Sequence, residues 1–222
     1  CSISYGALVV RKSGLFDRHR ATSHYSNEEM RASLFPKVKW QKNIRYVADG
    51  KVVSSAGVTA SMPTAIALVE AIAGPAKAAK VALDVGINDW SSRHNSDAFQ
   101  ADPGNATMPS RETKPQVTLG IPVKTRDDEI ALALTAEAYS TNGITTALAV
   151  AASKAPVRLA HGLVVLPDIV VGGPKSVDRT LAPLSANQAT RALDIALADI
   201  SKTYGRQAAR NVALFMEYPG FD

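Results

Sequence analysis

The residues from Ser4 to His24 constrain this chain more than any other stretch. Ser4-Tyr5-Gly6-Ala7, an apolar run, Ser13-Gly14-Leu15-Phe16-Asp17 and Arg20-Ala21-Thr22-Ser23-His24-Tyr25 give the order strand, sharp turn, helix, second strand. A short strand over Cys1 to Ile3 delivers Ser4 to the turn. There a hydroxyl stands exposed above the sheet, and backbone N–H groups of the next helix face any oxyanion that forms. Gly6 lets that helix approach closely.

Further along, Arg45-Tyr46-Val47-Ala48-Asp49-Gly50 and Ser54-Ser55-Ala56-Gly57-Val58-Thr59-Ala60 follow in order. Together with Ser4-Tyr5-Gly6-Ala7, Ser13-Gly14-Leu15 and Arg20 to Tyr25, these motifs resemble the second half of a ThiJ/PfpI domain, in the class I glutamine-amidotransferase-like superfamily. The resemblance covers residue 1 to about Gly74. It implies a flavodoxin-like α/β fold, a parallel sheet sandwiched by helices, and an elbow nucleophile polarised by histidine and glutamate. Members of that family usually carry cysteine at the elbow; the aligned residue is Ser4. Cys1 lies three residues earlier, an odd offset that sends the two side chains to opposite faces of a strand, which argues against Cys1 as the nucleophile. The family's first half, which holds its glutamate, is expected before residue 1.

The chain has 222 residues, 46% of them hydrophobic and 20% charged, enough for one sizeable core or two small ones. No apolar stretch approaches the roughly 20 residues that span a bilayer. One cysteine excludes an internal disulfide, and four scattered histidines show no ligand spacing, so neither a metal nor a cofactor is expected. A single cysteine suits cytoplasm and periplasm alike, which leaves the compartment of a bacterial protein open. Residues 1–50 hold nine Lys/Arg against four Asp/Glu, and the remainder balances at sixteen each. The basic residues are dispersed and no DNA-reading motif accompanies them, so they read as a solvated face, with no nucleic-acid partner.

Three regions are expected. Residues 1–99 alternate strand and helix: Ser26-Asn27-Glu28-Glu29 reads as a capping box, Val38 to Trp40 and Ile44 to Val47 as strands, Asp49-Gly50 as a tight turn, Ser61 as a cap, and Pro75 to Val85 as a helix ended by Gly86. Residues 100–116, polar and Pro-containing, read as a linker or long loop; Asn105-Ala106-Thr107 within them is a formal glycosylation triplet. Residues 117–222 form an α/β extension: strand Val117 to Val123, a helix through Tyr139, strand Thr145 to Ala151, a pair of strands turning near Gly162, a second capping box at Ser185 to Gln188, and two C-terminal helices divided by Gly205. This extension resembles, more faintly, the opening half of the same domain. Two arrangements follow: a partial duplicate behind a complete domain, or two halves paired in swapped order as an incomplete or permuted sheet with a helical C-terminal extension.

The resemblance makes Ser4 the nucleophile, His24 the proton shuttle and, if the halves pair, Glu137 the acid. Tyr5, Gly6, Gly57, Val58 and Thr59 would line the pocket. Each has a plainer reading: an elbow that has lost its chemistry, a hydrogen-bonded structural histidine, an exposed helical glutamate, an ordinary strand-to-helix turn. His19, His94 and His161 read as polar loop residues. The expected activities are hydrolysis or hydration of a small carbonyl, amide or nitrile-like compound, non-catalytic binding or sensing of a small molecule, or a structural role completing a sheet with another chain. Open strand edges point to a homo-oligomer or to association with a missing N-terminal half.

Overall fold

The computed structural model describes residues 1–99, 117–184 and 191–221, with Arg11 described by its backbone alone. The described residues fall into two compact units: Cys1–Ala106 with Ala213–Pro219, and Thr107–Val212 with Gly220–Asp222.

In the first unit β1 (Ser2–Ile3) runs into α1 (Gly6–Val10), as a strand-turn-helix reading requires. β2 (Arg20–Ala21) pairs in parallel with β3 (Lys39–Trp40), flanking α2 (Glu28–Leu34) in sequence. The Asp49-Gly50 turn joins β4 (Tyr46–Asp49) to β5 (Val52–Ser55) as an antiparallel hairpin, and β5 pairs in parallel with β1, giving the order β1-β5-β4. α3 (Ser61–Ala73) and α4 (Pro75–Val85) follow, and Gly86 ends α4 at φ +76°, a left-handed turn that glycine adopts without strain. Ala7, Phe16, Ala21 and Val38 form one buried cluster. Ile66, Ala78 and Ala82 form a second, where α3 meets α4.

In the second unit β6 (Val117–Pro122), α5 (Glu129–Ser140) and β7 (Thr145–Ala151) make a β-α-β crossover with β6 and β7 parallel. Asp128 caps α5 by accepting from the N–H groups of Ile130 and Ala131. β8 (Val157–Arg158) and β9 (Val164–Val165) form the expected small hairpin. β10 (Ile169–Val170) and β11 (Arg179–Thr180) complete a fully parallel sheet, ordered β10-β7-β6-β11. α6 (Arg191–Tyr204) buries Leu193, Ala196, Leu197 and Ile200, the face its sequence period marks. α7 (Arg206–Met216) follows Gly205, and its residues from Ala213 onward belong to the first unit. The chain is thus α/β, with parallel sheet flanked by helices.

Some local readings change. Ser61 is the first residue of α3, preceded by a 3-10 turn over Val58–Ala60, and Ala60 stands at the cap with no side-chain bond. The expected capping box at Ser26 is instead a 3-10 turn over Tyr25–Asn27, in which Ser26 serves His24. Gly6 is not demanded by a close approach, since a Cβ there would meet its nearest neighbour, Ser2 Cβ, at 3.8 Å. The expected linker at 100–116, with its glycosylation triplet, and the capping box at Ser185 to Gln188 lie outside the described residues.

Candidate functional site

Ser4 occupies the turn between β1 and α1 with φ +51°, a left-handed conformation that costs a non-glycine residue about 1–3 kcal/mol and is held only when its surroundings over-determine it. Those surroundings are visible. The Ser4 N–H donates to Ser55 O at 3.2 Å, and its carbonyl accepts from Ser23 Oγ at 2.9 Å and from Ala7 N at 3.3 Å. The hydroxyl does not stand exposed as expected: Ser4 is 7% exposed, and its Oγ has no hydrogen-bond partner among the described residues. Cys1 is exposed and free.

His24 is fully buried, and both ring nitrogens are engaged away from Ser4. Nε2 lies 2.8 Å from the carbonyl of Phe215. A carbonyl only accepts, so Nε2 carries the proton and Nδ1 the lone pair. Nδ1 accepts from Ser26 N at 3.2 Å and sits 2.8 Å from Ser26 Oγ. Tyr5 closes the chain of contacts, its hydroxyl 2.5 Å from Ser26 Oγ and its ring stacked on His24 with centroids 5.1 Å apart. Burial holds His24 below its ordinary pKa, outweighing the nearby Glu217 carboxylate and the bond to Phe215, which act in the opposite direction. Arg31, buried under Trp40, donates to the carbonyls of Ser23 and His24 and fixes the loop between them. Burial pushes its guanidinium down to about 10.

The acid beside His24 is Glu217, and sequence reasoning missed it. Glu217 is fully buried at φ +52°, one residue beyond α7. Its Oε1 accepts from Tyr25 N at 3.1 Å and lies 3.9 Å from His24 Nε2; its Oε2 accepts from His94 Nε2 at 2.6 Å and from Ser96 Oγ at 3.5 Å. Burial alone would raise this carboxyl. The bond from His94, the charge of His24 and the Tyr25 N–H more than offset that and hold it below the ordinary value. His94, expected as a polar loop residue, is therefore a partner in a buried cluster. Thr59 Oγ1 donates to the Glu217 carbonyl at 2.6 Å, and Gly57 lies directly beneath, where a Cβ would meet Glu217 Cβ at 2.5 Å and Met216 O at 2.8 Å. Phe215 stacks on Tyr5 with centroids 6.4 Å apart.

The residues expected around the elbow thus divide. Tyr5, His24, Gly57 and Thr59 come together around Phe215 and Glu217, while Val58 opens the 3-10 turn beside them. Gly6 starts α1. Glu137 belongs to the other unit, on α5, where burial raises its carboxyl. His161 pairs with Glu129 at 2.8 Å, also on the second unit. Among the described residues no group of three or more His, Cys, Asp or Glu side chains could hold a metal ion, and no helix is long and apolar enough to cross a membrane.

No protein-family model and no curated protein matches the chain. Solved structures similar to it include two that share its fold in part. Oxidized DJ-1 of Toxoplasma gondii aligns at 12% identity and a TM-score of 0.40 over 46% of this chain and 99% of its own. A ThiJ/PfpI family protein of Pseudomonas syringae aligns at 12% identity and a TM-score of 0.43 over 54% of this chain and 81% of its own. The second carries the name of the family that the sequence resembles. Both likenesses are partial, and no residue's role follows from either.

Proposed function

We propose that this chain is a ThiJ/PfpI-like module that binds a small molecule without catalysis at the elbow. The observation that carries this reading is the state of Ser4, a buried hydroxyl with no partner among the described residues, while both nitrogens of His24 are committed elsewhere. A serine hydroxyl is a weak nucleophile at neutral pH and needs a base within hydrogen-bond reach. His24 is held by Ser26 and Phe215, and Glu217 is held by Tyr25 and His94, so the acid-base groups serve to fix the segment around Phe215. Tyr5, Gly57 and Thr59 take part in the same packing.

One observation favours the competing hydrolase-like reading, in which Ser4 attacks a small carbonyl, amide or nitrile. The left-handed φ of Ser4 is the kind of strain that nucleophile elbows store. A fluorophosphonate separates the two, because it phosphonylates activated serines and spares inert ones. After incubation with the reagent, the intact mass of the protein is expected to be unchanged. A stoichiometric adduct mapped to Ser4, and lost in Ser4→Ala, would overturn the binding reading.

A further inference from the structure

The second unit holds a cavity of about 300 Å³ between α5, α6 and the stretch that runs from β11 to Leu184. That volume is at the small end of the range of organic-ligand sites. Its lining is mainly apolar, with Ala131, Leu181, Leu184 and Ile195 among the contributors. Ile195 stays 57% exposed on a helix whose other large aliphatic side chains, Leu193, Leu197 and Ile200, are buried, which leaves an apolar lip at the cavity.

The polar groups are few and specific. Tyr139 donates its hydroxyl to Asp199 Oδ2 at 2.6 Å, and Arg179 forks onto the same carboxylate, Nη2 to Oδ2 at 2.6 Å and Nη1 to Oδ1 at 3.2 Å. This bidentate pair consumes the cavity's two charges. An anion would have to compete with Asp199 for Arg179, and a cation with Arg179 for Asp199. Thr135 also lines the cavity, and its hydroxyl, which makes no hydrogen bond among the described residues, remains accessible. An accessible hydroxyl in a mainly apolar cavity offers a ligand a single polar contact.

We propose that this cavity binds a compact, uncharged, largely apolar organic molecule of about one ring, anchored by a single polar atom on the hydroxyl of Thr135. The proposal rests on reading the chain as a binding module and assigns that role to the second unit. The two can fail separately: an adduct on Ser4 ends the inert-elbow reading and leaves the cavity untouched, whereas an empty cavity leaves the inert elbow standing.

Benzyl alcohol, toluene and benzoate are suitable probes, titrated into the whole chain while backbone amide NMR shifts are followed. Benzyl alcohol is expected to give saturable shifts confined to α5, β11 and α6, with a dissociation constant on the order of 1 mM for so small a ligand. Thr135→Val keeps the side-chain shape and is expected to weaken benzyl alcohol by about fivefold while leaving toluene unchanged. Benzoate is expected to bind at least about tenfold more weakly than benzyl alcohol, because its charge meets a neutralised pair. Ile195→Trp, at an exposed position that tolerates change, is expected to block benzyl alcohol and toluene alike. Absence of saturable shifts, benzoate binding as tightly as benzyl alcohol, or benzyl alcohol binding that ignores both substitutions would overturn the proposal.

Discussion

Glu217→Ala is expected to destabilise the first unit by about 3 kcal/mol, the low end of what breaking a buried charged pair costs. The carboxylate is fully buried and answers His94 Nε2, Tyr25 N–H and, at longer range, His24. Alanine leaves those donors facing an empty, dry space, and unmet buried donors carry most of the cost. In thermal unfolding this corresponds to a drop of roughly 6–12 °C. Glu217→Gln should fall between the two, because an amide oxygen can still accept from Tyr25. The same substitution should change the response to acid. Glu217 has a folded pKa below its ordinary value of 4.5, so its contribution is complete above that value and disappears as pH falls through the folded pKa. His24, also depressed from its ordinary 6.5, acts in the same direction: its contribution is complete above 6.5 and is lost on acidification through its folded pKa. Wild-type stability should therefore decline from near pH 6.5 downwards, and in Glu217→Ala the part of that decline below pH 4.5 should shrink, with the remainder left to other carboxylates held below their ordinary values, such as Asp49 and Asp199. An unchanged unfolding midpoint in Glu217→Ala would show that the cluster contributes nothing.

Gly57→Ala is the second large effect. Gly57 has φ −60°, which any residue adopts, so the requirement is one of space and not of backbone freedom. The added methyl would lie 2.5 Å from Glu217 Cβ, 2.6 Å from Glu217 Cγ and 2.8 Å from Met216 O. Carbon atoms rest about 3.5–4.0 Å apart, and the carbonyl cannot swing aside without moving the backbone. A loss of about 3 kcal/mol is expected from this overpacking. Gly6→Ala supplies the control: its nearest neighbour would be 3.8 Å away, and its stability should stay within about 0.5 kcal/mol of wild type. Chemical denaturation of the two variants side by side checks this, and equal stability would contradict the packing at Gly57.

The elements that the sequence announced are those whose signals are local. The Asp49-Gly50 hairpin, the Gly86 stop after α4 and the strand pair turning near Gly162 all arise from residues within a turn or two of each other. Ser26 and Ser61 misled for a related reason. Ser26 has the residue type of a cap but is drawn to the His24 ring, and the 3-10 turn before Ser61 carries the chain into α3 without a side-chain bond. At the site, Ser4, Tyr5, His24, Gly57 and Thr59 were visible because they fall in short motifs. His94 and Glu217 were not, since they lie 123 residues apart and nothing in either neighbourhood refers to the other. A faint signal did exist. Glu217 directly follows a helix at the position where glycine is usual, and a glutamate there must be held by something. The expectation that Ser4 would be exposed failed: its turn has a left-handed backbone, but its side chain is covered.

The most direct measurement of the central claim is the ionisation of a thiol placed at the elbow. In a Cys1→Ser, Ser4→Cys protein, thiolate absorbance against pH reports whether the turn activates what it holds. Burial without a cation partner predicts a thiol pKa at or above about 8.5. A value near 6 or below would mean that the elbow still polarises a nucleophile, and the account of an inert elbow would be wrong.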